Sequence, residues 1–390
     1  MIQSKGTMSS SYKKLRSLSI VRYFPLYVIF LLFWVPISAS GAQVASYPET
    51  IIPIPHPITS LLRSKKVHRE LKLSTAEIDQ VENIVSQIDL PLWRLRDLPL
   101  QKRNETAAPL INQLKSKLAQ ILSDRQNERL NQLVWQARGI DVFLEPQIAL
   151  KLNLSPEQTN RIQALLKILH SKITSLQSNP DLGSALERTA YIQNMQTETQ
   201  RNIQTVLNSH QQNTFAMLMG RPFNFSKIQS VACKAPEFEI DTWINSSPVK
   251  LSELKGKVTV VHFYAFGCGN CIRTLPYYND WYMHFPTSSF SIIGIHRPET
   301  KQERNIDKVK DKAAQAGMEY PVAVDNDSLT WNSWANNIWP SIYLIDKNGF
   351  IRYWWYGELN WQGAESEKLM AERIRELINE PSAVQDTALD

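Results

Sequence analysis

Apolar residues along this chain fall into two regimes. From about residue 61 to residue 221 they recur at helical spacing among Leu, Gln, Lys and Glu, the pattern of amphipathic helices that bury one stripe. From about residue 235 onward, short apolar runs alternate with helical stretches. Strands are expected near 237–241, 258–265, 289–296, 320–325, 341–346 and 351–356, with helices near 269–284, 302–316, 328–337 and 364–379. Strands that alternate with helices imply an α/β domain whose sheet is partly parallel. Val258, Val260, Val261 and Phe263 make one strand nearly continuously apolar, as a strand covered on both faces must be.

The helical regime repeats itself. LKLSTAEIDQVENIV from Leu71 is echoed by LNLSPEQTNRIQALL from Leu152, and ILSDRQNERLNQLVWQARG from Ile121 by VLNSHQQNTFAMLMGRP from Val206. The offsets are 81 and 85 residues, so residues 61–221 are read as an all-α domain of two repeats, each a pair of long antiparallel helices. Ser74 with Glu77 three residues later has the form of a capping box, and Ser155, Pro156 and Glu157 mark another helix start. Residues 222–234 lose periodicity and read as a linker. Pro48, Pro53, Pro55 and Pro57 make residues 43–60 a stiff spacer, and residues 381–390 read as a disordered tail.

The net charge of +6 suggests an anionic partner until its location is considered. Residues 1–48 hold Lys5, Lys13, Lys14, Arg16 and Arg22 and no acid, so the rest of the chain carries 38 basic and 37 acidic residues. That balance leaves no footprint for nucleic acid. The basic stretch precedes an apolar run, residues 23–42, that ends in small residues. This is the form of a secretory signal, and if retained it is long enough to anchor the chain in a membrane. Residues 1–42 are therefore read as a signal peptide or N-terminal anchor, and the protein as exported, either periplasmic or membrane-anchored facing the periplasm.

Chemistry concentrates at Cys268, Gly269, Asn270 and Cys271, where the 258–265 strand turns into the next helix. Active sites in α/β sheets gather at such carboxyl ends of strands. Cys268 would stand at a helix N-terminus, where unpaired N–H groups and the helix dipole favour a thiolate. Cys271, three residues on, is placed to resolve a mixed disulfide. Two cysteines at this spacing also occur as half a metal site. Cys233, the third cysteine, falls in the linker and is read as non-catalytic.

CGNCIRTLP from Cys268, GIHRPE from Gly294, YPVAVDND from Tyr320 and WPSIYLIDKNGFIR from Trp339 together carry a family resemblance. Residues 235–380 resemble the thioredoxin-like fold and, within it, redoxin domains of the TlpA and ResA type, above all those of DipZ and the NHL-repeat proteins. The fold class implied is an α/β thioredoxin-like domain preceded by an all-α helical-repeat domain. Pro276 matches the proline of the active-site helix, and Pro340 matches the cis-proline that faces the cysteine pair. Trp339, Pro340, Gly269 and Asn270 are then the expected substrate-contacting residues. Where thioredoxins carry a buried aspartate that relays protons to the resolving cysteine, this chain has His262, a neutral imidazole that can do similar work. His296 and Glu299 match a motif of the same relatives and are assigned to structure. The LSPEQ segment resembles weakly the LTxxQ motif of Spy- and CpxP-like helical proteins.

These readings converge on an exported thiol-disulfide oxidoreductase in which Cys268 attacks, Cys271 resolves and His262 handles the proton. Its partners would be protein thiols and disulfides and an unidentified redox partner, with electrons stored in the cysteine pair and no organic cofactor or metal. Two alternatives belong to other classes: a copper-binding redoxin using Cys268, Cys271 and His296, and a non-enzymatic interaction protein acting through the helical repeats. No PxxxTxxC pattern precedes Cys268 or Cys271, which argues against a peroxidase.

Overall fold

A computed structural model of the protein describes residues 56–177, 185–225, 228–229 and 231–380. The expected signal segment, most of the spacer and the expected C-terminal tail lie outside the described residues. Among the described residues, no helix is long and apolar enough to cross a membrane.

The N-terminal half contains α1 (Ile58–Leu62), α2 (Lys65–Leu71), α3 (Thr75–Trp93), α4 (Leu100–Leu118) and α5 (Asp124–Arg138). It continues through α6 (Pro146–Lys151), α7 (Pro156–Gln177), α8 (Ala185–Val206) and α9 (Ser209–Met219). The repeat is visible as α3–α5 and α7–α9, so each unit has three principal helices where two were expected. The echoed segments are only the outer helices; α4 and α8 lie between them. Helix α4 has its own apolar stripe of Ala107, Ile111, Leu114 and Leu118, which packs with α3 and α5 in one cluster.

The duplication extends to single side chains. Capping boxes start α3 at Ser74 and Glu77, α5 at Ser123 and Gln126, and α9 at Asn208 and Gln211. Ser155 Oγ likewise accepts from the Gln158 N–H at 3.1 Å. The boxes then bond in pairs: Gln126 Nε2 donates to Glu77 Oε1 at 3.2 Å, and Gln158 Nε2 to Gln211 Oε1 at 2.9 Å. Residues in corresponding places thus join the outer helices of each unit. Ser155 and Gln158 of the LSPEQ segment are engaged in this way as helix-start chemistry.

The C-terminal half is built on a six-stranded sheet in the order β1-β4-β3-β2-β5-β6. Its strands are β1 (Trp243–Ile244), β2 (Val258–Tyr264), β3 (Phe290–His296), β4 (Val322–Val324), β5 (Ser341–Ile345) and β6 (Ile351–Tyr356). Pairs β2–β3 and β3–β4 are parallel, while β1–β4, β2–β5 and β5–β6 are antiparallel. The intervening helices are α10 (Gly269–His284), α11 (Ile306–Gln315), α12 (Leu329–Ser333) and α13 (Ser366–Asn379). The first strand is a two-residue element at 243–244, so the strand expected at 237–241 is displaced.

Alternation along β2 divides the core. Val258, Val260 and Tyr264 pack with α10, α11 and α13 on one face. Val261 and Phe263 face the other way, against Trp331 and Trp334 of the α12 region and against Trp93 of α3. The second face is therefore completed by a residue of the helical half. Pairing also begins before residue 235: Ala232 N–H donates to Ile351 O at 2.8 Å, Ile351 N–H to Cys233 O at 2.9 Å, and Ala235 N–H to Gly349 O at 3.0 Å. Phe223 and Phe225 pack with the first repeat. The stretch expected as linker is thus held at both ends.

Gln211 is buried and bonds to Gln158 and to the carbonyl of Leu152. Gln211→Ala should lower stability by about 1–3 kcal/mol in denaturant unfolding, because it strands buried partners. The half-exposed Gln126→Ala should cost less.

Candidate active site

Cys268 is the N-cap residue of α10, and its sulfur accepts the Cys271 N–H at 3.3 Å. This is the contact that a helix start offers an anion. Cys268 and Cys271 are disulfide-bonded, with Cα atoms 5.3 Å apart. Cys268 is half-buried and Cys271 fully buried, so an incoming group meets Cys268 first.

The turn before Cys268 depends on a residue that the sequence reading passed over. Glu303 is buried, and its Oε1 accepts the Gly267 N–H at 2.7 Å. Its Oε2 accepts the N–H groups of Glu299 and Thr300, both at 2.8 Å. Burial alone would raise this carboxyl, but the donors of Thr300, Gly267 and Glu299 outweigh it and hold the group below the usual carboxylate range. An ionised carboxylate therefore lies against the loop that presents Cys268. A Cβ at Gly267 would stand 2.6 Å from Glu303 Oε1, so any larger residue there forces the carboxylate away from the loop. The GIHRPE motif pointed to Glu299, which contributes only its backbone N–H; Glu303 lies four residues beyond.

His296, at the end of β3, is fully buried, and its Nε2 accepts the Phe266 N–H at 3.4 Å. Burial pushes its pKa down to about 4. The nitrogen offered to copper in one alternative is thus turned to the backbone of the active-site loop.

His262 lies in β2 on the face that also carries Tyr264 and looks toward α10. Its ring stacks on Tyr278 at 4.2 Å, and its Nε2 shares a hydrogen bond with the Tyr320 hydroxyl at 3.1 Å. Gly294 on β3 makes room for it, since a Cβ there would lie 3.0 Å from Nε2. Complete burial pushes the His262 pKa down to about 3, so the ring is neutral, as expected, but it is also a weak base. Its contacts are tyrosines.

The Trp339–Pro340 peptide bond is cis. Trp339 packs against the cluster that holds Cys271 and stacks on Trp331 at 4.3 Å. Arg297 lies over both rings, at 4.8 Å from Trp339 and 5.0 Å from Trp331. Asn270 accepts from Arg273, which also pairs with Glu358 at 2.8 Å. This ties the Gly269-Asn270 turn to the loop after β6. Ile272, Ile338 and Trp361 are exposed apolar residues of these same segments.

Residues 231–354 match the model of the AhpC/TSA family. The chain is 35% identical over 150 residues to Protein DipZ of Mycobacterium tuberculosis, covering 37% of this chain and 21% of that one. It is 28% identical over 137 residues to the thiol-disulfide oxidoreductase ResA of Bacillus anthracis, covering 35% and 75% respectively. A solved structure of a putative thiol:disulfide interchange protein DsbE from Chlorobium tepidum aligns over 37% of this chain and 96% of its own, at 23% identity and a TM-score of 0.33. The chain thus spans about a fifth of the length of DipZ. The matched part, similar to the AhpC/TSA family, is an α/β unit with a mixed sheet.

Two measurements check this account. Gly267→Ala and Glu303→Ala should each destabilise by about 1–3 kcal/mol, and the double variant should fall short of their sum by about 1 kcal/mol, because both act through one contact. His262 has a folded-state pKa below its unfolded value of 6.5. The unfolded chain therefore binds more protons below that pH, and stability should fall as pH drops from about 6.5 toward 4. His56 and His296, also lowered by burial, add in the same direction. Thermal unfolding against pH should show a shallower acid limb for His262→Gln.

Proposed function

We propose that this protein is an exported thiol-disulfide oxidoreductase that exchanges electrons with protein substrates through Cys268 and Cys271. The observation that carries the reading is the cap contact: the half-exposed Cys268 sulfur receives the Cys271 N–H at 3.3 Å at the start of α10, while Cys271 is buried behind it. In the reduced protein, the Cys268 thiolate attacks one sulfur of a substrate disulfide. The substrate S–S bond breaks, its second sulfur leaves as a thiolate and takes a proton, and a mixed disulfide remains. Cys271 then gives up its proton and attacks Cys268, releasing the other substrate thiolate. Two electrons have passed to the substrate and the Cys268–Cys271 disulfide has formed. Run in reverse, the same steps oxidise a substrate dithiol.

Gly269 and Asn270, between the cysteines, and Trp339 and Pro340, of which Trp339 packs against the cluster that holds Cys271, are assigned to substrate contact. Exposed Ile272, Ile338 and Trp361 suit a protein surface better than a small disulfide. His262 is given a narrower part than proton acceptor. Its neutral ring anchors the tyrosines behind the sulfurs, and its low basicity argues for a different acceptor of the Cys271 proton. Export is supported by the basic and then apolar start of the sequence.

Cys268→Ser should abolish reduction of a protein disulfide, whereas Cys271→Ser should still attack and accumulate mixed disulfide on non-reducing gels. Retained activity in Cys268→Ser, or equal inertness of the two variants, would overturn the assignment.

A further inference from the structure

Helix α3 delivers side chains of the helical half into the redoxin domain. Trp93 is fully buried there, edge-on to Tyr343 at 5.8 Å and to Trp354 at 5.0 Å. Its indole N–H donates to the Trp334 carbonyl at 2.9 Å. Arg96 is 2% exposed and lies over the Trp93 ring at 4.0 Å. Its guanidinium donates to the carbonyls of Ala335 and Trp93 and to the Tyr356 hydroxyl. Asn337 Nδ2 donates to Asp97 at 3.2 Å. Three residues of the segment 334–337 are therefore held by Trp93 at the end of α3 and by Arg96 and Asp97 just beyond it.

The held segment has a local need for such partners. Trp334 is the C-cap of the five-residue helix α12, and Ala335 follows it in the left-handed region with φ of 53°. The last carbonyls of a helix have no acceptor duty inside it, and a buried helix end requires donors from elsewhere. A non-glycine residue in the left-handed region persists where its surroundings hold it. Both requirements are met from the helical half. Beyond Ala335 the chain runs through exposed Ile338 to Trp339, which packs against the cluster containing Cys271.

We propose that α3 braces the substrate side of the disulfide: by capping α12, Trp93 and Arg96 set the course of residues 334–339 and with it the affinity for protein substrates. They are positioning residues, and the sulfur chemistry itself stays within the redoxin domain. This rests on the oxidoreductase reading above, and it assigns to the helical half a part in substrate recognition.

A buried thiol in the same interface makes the brace observable without any activity. Cys233 belongs to the apolar cluster that includes Trp93 and is fully buried. With Cys268 and Cys271 oxidised, it is the thiol available to N-ethylmaleimide. In the full-length protein, Arg96→Ala should raise the labelling rate of Cys233 at least about tenfold and raise KM for insulin disulfides by a similar factor. The equilibrium of the cysteine pair with glutathione, and its rate with oxidised glutathione, should change less than about twofold. Trp93→Phe keeps the ring and loses the N–H, so it should shift both readouts in the same direction by less, and it carries the test if Arg96→Ala does not fold. Unchanged Cys233 labelling, or an unchanged KM for insulin in both variants, overturns the brace. So does an equal loss toward insulin and oxidised glutathione. A parent protein inert toward both substrates would instead sink the oxidoreductase reading, while the labelling result would still stand.

Discussion

Strand β2 is buried along its whole length, and the need to cover both of its sides shapes the rest of the molecule. One side is closed by α10, α11 and α13, which pack on Val258, Val260 and Tyr264. The other carries Val261 and Phe263 and is closed by α12, by the chain around Cys233 and by Trp93 from α3. Burying large aromatic side chains is among the strongest apolar contributions available to a fold. The second layer is incomplete without Trp93, so the redoxin domain and the helical half share a core. The buried Arg63–Asp89 pair reinforces the join, since Asp89 also accepts the Lys234 N–H at 3.2 Å.

The same strand delivers the chemistry. At its carboxyl end, the chain must turn from sheet into α10, and that turn is held from beneath by two buried groups of different kinds. Glu303 supplies an ionised carboxylate to the Gly267 N–H, and His296 supplies a neutral ring nitrogen to the Phe266 N–H. Both bonds fall before α10, whose Cys271 N–H faces the Cys268 sulfur. A negative charge under the loop opposes a thiolate at Cys268, while the helix start favours it. Both influences come from residues of this half of the chain, Glu303 and the start of α10.

The helical half shows how a duplicated unit can diverge in use. Its two repeats keep the same internal fastening, Glu77 with Gln126 and Gln158 with Gln211. They differ at the far end of the first long helix. In the first repeat α3 ends at Trp93 with Arg96 three residues on, and at the matching offset of 81 residues α7 has Thr174 and Gln177. Large aromatic and guanidinium groups can enter another domain's core and cap its carbonyls; a threonine and a glutamine lack the apolar area for it.

Local pattern was enough to reveal much of this protein. Helical periodicity, the doubled motifs, the strand–turn–helix at Cys268 and the capping serines are legible because each depends on neighbours a few residues away. The third helix of each repeat was hidden because α4 and α8 are not echoes of one another, and the strand expected at 237–241 was misplaced because edge pairing depends on distant partners. Glu303 is one charged residue among many in a polar stretch; only folding brings its carboxylate to Gly267, 36 residues away. His262 could be placed on the correct face by counting along β2, but its surroundings of Tyr278 and Tyr320 come from other elements and set its basicity. The join between Trp93 and Trp334, 241 residues apart, is the extreme case. Sequence determines which residues can be buried or charged, and tertiary structure alone decides which of them meet, because a contact's energy depends on separation in space and not along the chain.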